Sequence, residues 1–217
     1  MAETGDALPD ILPIFPLTGV LLLPRGRLPL NIFEPRYLAM FRDAMAGERL
    51  IGMIQPSGPP VREMNPAVYP MVCAGRITSF SETEDGRFLV ALTGVSRFRV
   101  RQELPLLSGY RRVVVEWDEF AGDRAPDEAG FDRSRLTQGL RTFFQQRQLQ
   151  ADWTAIEQAP GEHLVTSIAM MCPFAPNEKQ ALLEAKTLDE RARLLTALIE
   201  MTVSAPGPDP EAGATRH

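Results

Sequence analysis

Histidine, lysine and cysteine are nearly missing from this chain of 217 residues, and each scarcity closes off a class of chemistry. The histidines are His163 and His217 and the cysteines Cys73 and Cys172. They fall at no spacing that assembles the nitrogen and sulfur ligands of a zinc site, so neither a metal nor another cofactor is expected. Lysine occurs only at positions 179 and 186. Both read as exposed polar positions, where nothing strips water from the amine and lowers its pKa far enough to serve a serine–lysine dyad. No G-x-x-x-x-G-K-[ST] sequence is present to cradle phosphates. Cys172 sits among Met170, Met171, Pro173 and Phe174, the surroundings of a core thiol rather than a nucleophile, and no disulfide is expected. The chain therefore does not read as an enzyme.

Long apolar runs are also absent, and none approaches the roughly 18 residues of a membrane-spanning helix. The apolar stretch Ile11 to Pro24 follows Glu3, Asp6 and Asp10 and is cut by Pro13 and Pro16, unlike a secretory leader. It is expected to be strand material, and the expected compartment is the cytoplasm. A net charge of -5 offers no broad attraction to phosphate backbones, which argues against nucleic acid as a partner.

What is present is a core-forming share of hydrophobic residues, 44%, whose pattern changes once along the chain. The expected division is a flexible N-terminus at 1–10, a β-rich part at 11–120, a linker at 121–130, a helical part at 131–203 and a disordered tail at 204–217. In the β-rich part, Tyr37, Met40, Phe41, Ala44 and Met45 form one helical stripe, with Pro35 in its first turn and Gly47 at its end. Leu50–Ile54 reads as a buried strand and Gln55–Ala67, with four prolines, as an exposed loop. Val72–Thr83 and Phe88–Thr93 read as a hairpin turning at Asp85-Gly86, and Tyr110–Phe120 as a further strand. Four helices are expected beyond it, carried by Leu136/Leu140/Phe143, by Leu164/Ile168/Met171, by Pro176–Ala185, and by Leu188–Val203 behind a capping box at Thr187 and Glu190.

Two groups of residues stand out as partner-binding candidates. Phe33, Glu34, Arg36 and Tyr37 place an aromatic, an acid and an arginine where an irregular strand turns into a helix. Arg97 and Arg99, with Arg101, put like charges along one face of a strand; these either pair across the sheet with Glu82 or Glu84 or form a strip that grips acidic peptide groups.

The segments Leu12 to Met45 and Gly75 to Val100 carry a resemblance to a known family. Leu12-Pro13-Ile14-Phe15-Pro16-Leu17, Pro24, Pro29-Leu30, the helix from Glu34 to Met45, Gly75, Asp85-Gly86 and Leu92-Thr93-Gly94-Val95-Ser96-Arg97-Phe98 occur in an order that resembles the amino-terminal domain of Lon-type ATP-dependent proteases, in its stand-alone form. The resemblance covers about Ile11 to Met201. It implies an α+β fold, a PUA-like pseudo-β-barrel with one packed helix followed by a small helical bundle. It further implies a binding role toward unfolded or tagged polypeptide segments, with a protease system as a possible partner. The alternative it carries is a PUA-like domain that binds a small molecule or RNA.

Overall fold

The computed structural model describes residues 8–58, 65–127 and 130–204. Most of the expected flexible ends and the centre of the 55–67 loop, including Met64, lie outside the described residues, as does His217. The elements in chain order are β1 (Ile11–Pro16), β2 (Arg27–Ile32), α1 (Pro35–Ala46), β3 (Leu50–Ile54), β4 (Met71–Glu82), β5 (Phe88–Leu107) and β6 (Tyr110–Glu116). A 3-10 segment, Asp118–Arg124, follows, then α2 (Arg133–Gln146), α3 (Trp153–Gln158), α4 (Gly161–Met171), α5 (Pro176–Glu184) and α6 (Leu188–Ser204). The fold is α+β.

The strands form one mixed sheet in the order β2-β5-β4-β3-β1-β6, and β5 also pairs with β6. That last pairing closes β5, β4, β3, β1 and β6 into a circuit. β1 and β3 run parallel; every other pair is antiparallel. Inward-pointing residues fill the circuit: Leu12, Ile14, Leu50, Ile54, Val72, Ala74, Phe98, Val113 and Val115 are all buried together. Apart from Ala74, each such side chain contributes roughly 1.5–3 kcal/mol of transfer free energy.

β5 is long enough to serve two purposes. Its second half helps close the circuit against β6, whereas its first half pairs with β2 on one side and with β4 on the other. The result is a three-stranded wing that extends away from the closed part. The strand does not stop at Thr93, as the sequence suggests, because Gly94 is there for close approach and not as a breaker. A Cβ on Gly94 would stand 2.0 Å from the Leu23 carbonyl oxygen. The hairpin turn is as expected, with Gly86 at φ +78, a conformation that favours glycine.

Three other expectations are corrected. Of the stretch Ile11 to Pro24 only β1 is strand; Leu21, Leu22 and Leu23 are buried in a loop that Arg25 N and Gly26 O tie to Gly94 by hydrogen bonds of 2.8 Å each. The strand from Tyr110 ends at Glu116, and the chain then tightens into the 3-10 segment. A fifth helix, α3, opens on an Asp152 side chain that accepts from Ala155 N; none of its six residues is buried, so it has no apolar stripe to be seen as periodicity.

The chain divides into two compact units, Met1–Asp127 with Thr166–Glu184 and Glu128–Val165 with Ala185–His217. This grouping returns part of the helical half to the sheet, for a reason visible in the hydrogen bonds. Gln55 Nε2 donates to Pro176 O at 3.0 Å, Gln180 Nε2 to Met71 O at 3.3 Å, and Lys179 Nζ to Gly19 O at 2.9 Å. In the second unit α2 packs on α6 through Leu136, Leu140 and Phe143 on one side and Leu195, Leu198 and Ile199 on the other.

Lys179 is the clearest departure from the sequence reading. It is not an exposed polar position: 7% of it is accessible, and its ammonium donates to two backbone carbonyls, Gly19 and Met170. Burial lowers its pKa from the ordinary lysine value. Cys73 and Cys172 are both buried and neither is in a disulfide.

Candidate functional site

The wing has two faces with different fates. On one, Ile32, Phe88, Val90 and Leu92 are buried, and the Phe41 ring of α1 lies 4.5 Å from Phe88 and 5.5 Å from Phe80. The other face is open. Strand alternation puts every second residue there, and the register fixes which residues share a rung. Pro29 faces Ala91, which faces Ser79; two positions on, Asn31 faces Leu89, which faces Ser81.

These two rungs border a shallow trough of about 590 Å³. Its lining residues are the six just named together with Leu30, Val90 and Phe80, the rung between them. Because the intermediate rung sends its side chains to the opposite face, its backbone is the trough floor. The walls are apolar on β5, mixed on β2, where Pro29 and Asn31 stand, and carry serine hydroxyls on β4. Leu89 is 48% exposed, which leaves a large aliphatic group at the rim with no described residue covering it. Among the described residues, no strand pairs with the outer edge of β2, and Pro29 sits in that edge strand, as proline in sheets does.

Phe33 continues this open face past the end of β2. It is 57% exposed, with the Arg87 guanidinium 5.8 Å from its ring centre. The other three residues of the first candidate group are engaged within the protein. Arg36 donates from Nε and Nη2 to the Glu34 carboxylate at 3.0 Å, and its guanidinium lies 4.5 Å over the Tyr37 ring. Tyr37 is buried against Phe15, with ring centres 4.3 Å apart. Burial is the main reason its phenol titrates above the ordinary tyrosine value. Glu34 sets the helix start through its extended backbone but makes no side-chain cap bond.

Arg97 and Arg99 do not join this surface. Arg97 pairs in register with Cys73, nine residues along β5 from Phe88, a chain path of roughly 30 Å. Arg97 is only 4% exposed. Its backbone N and Nε both donate to Asp123 Oδ2 and its Nη2 donates to Asp123 Oδ1, each at 2.8 Å, while Nη1 donates to Leu183 O at 3.0 Å. Arg99 donates to Glu119 from Nε at 3.0 Å and Nη2 at 2.7 Å. The acids that face these arginines thus come from the 3-10 segment, not from Glu82 or Glu84, which lie at the far end of the hairpin. The row also breaks after Arg99, where the pairing with β6 shifts register between Val100 and Gln102. Of the six candidates, Phe33 alone lies on the face that carries the trough, and it stands beyond the trough's end.

The residues that sequence reasoning missed are Pro29, Leu89 and Ala91. Their signal was the alternation of β2 and β5, but only the pairing register shows that they border one depression. Among the described residues, no group of three or more His, Cys, Asp or Glu is placed to hold a metal ion. No helix among them is long and apolar enough to cross a membrane.

Comparison with known proteins agrees with this architecture. The model of the ATP-dependent protease La (LON) substrate-binding domain matches residues 11–201. Lon protease 2 of Myxococcus xanthus is 28% identical over 202 residues, covering 89% of this chain and 24% of that protein. Lon protease of Anaeromyxobacter dehalogenans is 26% identical over 201 residues, 89% of this chain and 23% of that protein. The chain thus spans about a quarter of the length of the curated relatives it matches. Two solved structures share the fold. A Lon N-terminal domain protein from Xanthomonas campestris gives a TM-score of 0.58 at 23% identity, covering 90% of this chain and 99% of that one. The N-terminal domain of the Mycobacterium avium complex Lon protease gives 0.61 at 15% identity, covering 88% and 98%.

Proposed function

Because the chain belongs to the family of the LON substrate-binding domain, we propose that it is a non-catalytic module that binds exposed apolar segments of unfolded polypeptides on the open face of the wing, in the cytoplasm. The observation that carries this reading is the trough bordered by Pro29, Ala91 and Leu89, with Phe33 beyond its end, on a sheet whose other face meets Phe41 of α1. An extended segment suits such a surface: apolar side chains enter the depression, and backbone groups meet the outer edge of β2. The reading attributes no bond-breaking step to this chain. The longer relatives are named as proteases, and a protease system is the partner to which captured segments would be handed.

The test is binding of a permanently unfolded, carboxymethylated polypeptide by calorimetry. Leu89→Ser is expected to weaken it about tenfold, the effect of taking roughly 1.4 kcal/mol of apolar contact from the rim. Leu106→Ser, at a comparably exposed leucine near the β5–β6 turn, serves as control and leaves binding unchanged. Equal loss in both variants, or in neither, removes the wing from the argument.

A further inference from the structure

The open face of the wing is electrically uneven along its length. Two rungs beyond Pro29, Ala91 and Ser79, and past a register shift in β4 between Ile77 and Ser79, the register pairs Arg27 with Thr93 and Thr93 with Arg76. Both arginines are exposed. Among the described residues neither has a carboxylate partner; Arg76 gives one N–H to the Glu48 carbonyl at 3.1 Å. Between them the Thr93 hydroxyl lies 3.2 Å from that of Thr78, a neutral pair. At the opposite end of the wing stand Glu82, Glu84 and Asp85, where Arg87 is already bound to Asp85 at 2.7 Å. Among the described residues, the trough therefore has at one end two guanidiniums without a carboxylate partner and at the other an excess of carboxylates.

We propose that the segment held in the trough carries an aspartate or glutamate side chain near its apolar residues, and that Arg27 and Arg76 receive it. This rests on the polypeptide-binding reading and narrows it to one chemistry, an apolar stretch with an adjoining internal acid. The Arg27 and Arg76 backbones flank one strand, so they stand about 10 Å apart, a gap that two arginine side chains close over a single carboxylate. The planar fork of each offers paired donors suited to carboxylate oxygens. From the trough floor to the arginine rung is three residues, roughly 10 Å of strand, so the acid belongs two or three residues from the apolar group in an extended chain. The acidic end of the wing repels the same carboxylate and so fixes the direction in which the segment lies.

The test uses short, labelled, unstructured peptides with amidated C-termini, so that the only carboxylate is the side chain under study. One carries a Leu-Phe pair followed closely by Glu, and its twin carries Gln at that place. Fluorescence anisotropy at low salt is expected to show the Glu peptide binding about tenfold more tightly, the sum of two modest exposed ion pairs. The advantage shrinks at high salt. It disappears in the double variant Arg27→Gln/Arg76→Gln and partly returns in Arg27→Lys/Arg76→Lys, both checked for unchanged thermal unfolding. Equal binding of the twins to the unmodified protein, with Leu89→Ser weakening both, overturns this proposal and leaves the parent reading standing. If Leu89→Ser alters neither, both fall.

Discussion

Asp123→Ala tests the packing logic of the sheet-bearing unit more sharply than any other single change. In the folded protein the Asp123 carboxylate accepts three hydrogen bonds from Arg97, from its backbone N, Nε and Nη2, all at 2.8 Å. Arg97 also donates from Nη1 to Leu183 O. Its guanidinium also lies 4.9 Å from the centre of the Phe120 ring. Truncating the acid takes from a buried cation the carboxylate that accepts three of its residue's hydrogen bonds. Breaking a buried pair on one side costs about 3–5 kcal/mol, because the remaining charge stays desolvated and uncompensated. With a urea dependence of roughly 2 kcal/mol per molar, the unfolding midpoint should fall by about 1.5–2.5 M. The two tryptophans make the measurement local: in a Trp153→Phe background the remaining indole is Trp117, which packs 5.1 Å from Phe98 in the barrel core. Replacing both partners, Arg97→Met with Asp123→Leu, should recover most of the loss, since no charge is then stranded. A loss below about 1 kcal/mol for Asp123→Ala, the range of an exposed pair, would refute the reasoning.

Two further outcomes are expected from the same structure. Gly94→Ala forces a methyl against the Leu23 carbonyl, a backbone atom that cannot swing aside, and should cost about 3 kcal/mol or prevent folding, read by the same urea titration. Tyr110, whose hydroxyl donates to Asp43 Oδ2 at 2.8 Å, has its pKa pushed up to about 12, first by burial and then by that bond. The folded state therefore holds this proton more tightly than the unfolded chain, so stability is full below pH ~10 and is lost as pH rises toward about 12. Ultraviolet titration should show this phenol ionising late, and Tyr110→Phe should flatten that part of the stability profile; an ordinary phenol titration would contradict it.

How much of this was written in the sequence depends on the range of each interaction. α1 was readable because a stripe at Tyr37, Met40, Phe41 and Ala44, a proline at its start and Gly47 at its end are all local. So was the hairpin, whose turn chemistry sits in four adjacent residues. Closure of the barrel was not, because alternation in β5 says that one face is buried but not which strands lie beside it. The same limit hid the partner of Arg97: Asp123 lies 26 positions away, in a 3-10 segment with no apolar period of its own. Lys179 looked exposed because lysine usually is, and only its two carbonyl acceptors, one of them 160 positions distant, account for its burial. The trough was invisible for a related reason. Pro29, Ala91 and Ser79 become neighbours through register, a property that no one of the three strands possesses alone.

β5 runs from the wing into the barrel wall as one strand of 20 residues. Tension applied to the wing is therefore carried along a covalent backbone into the barrel wall. Pulled lengthwise, that strand loads its cross-strand hydrogen bonds together and resists as a stiff strut. Pulled sideways, β2 yields first, since it is zipped to a single neighbour and its bonds open one after another. The wing is thus stiff along its strands and weaker across them.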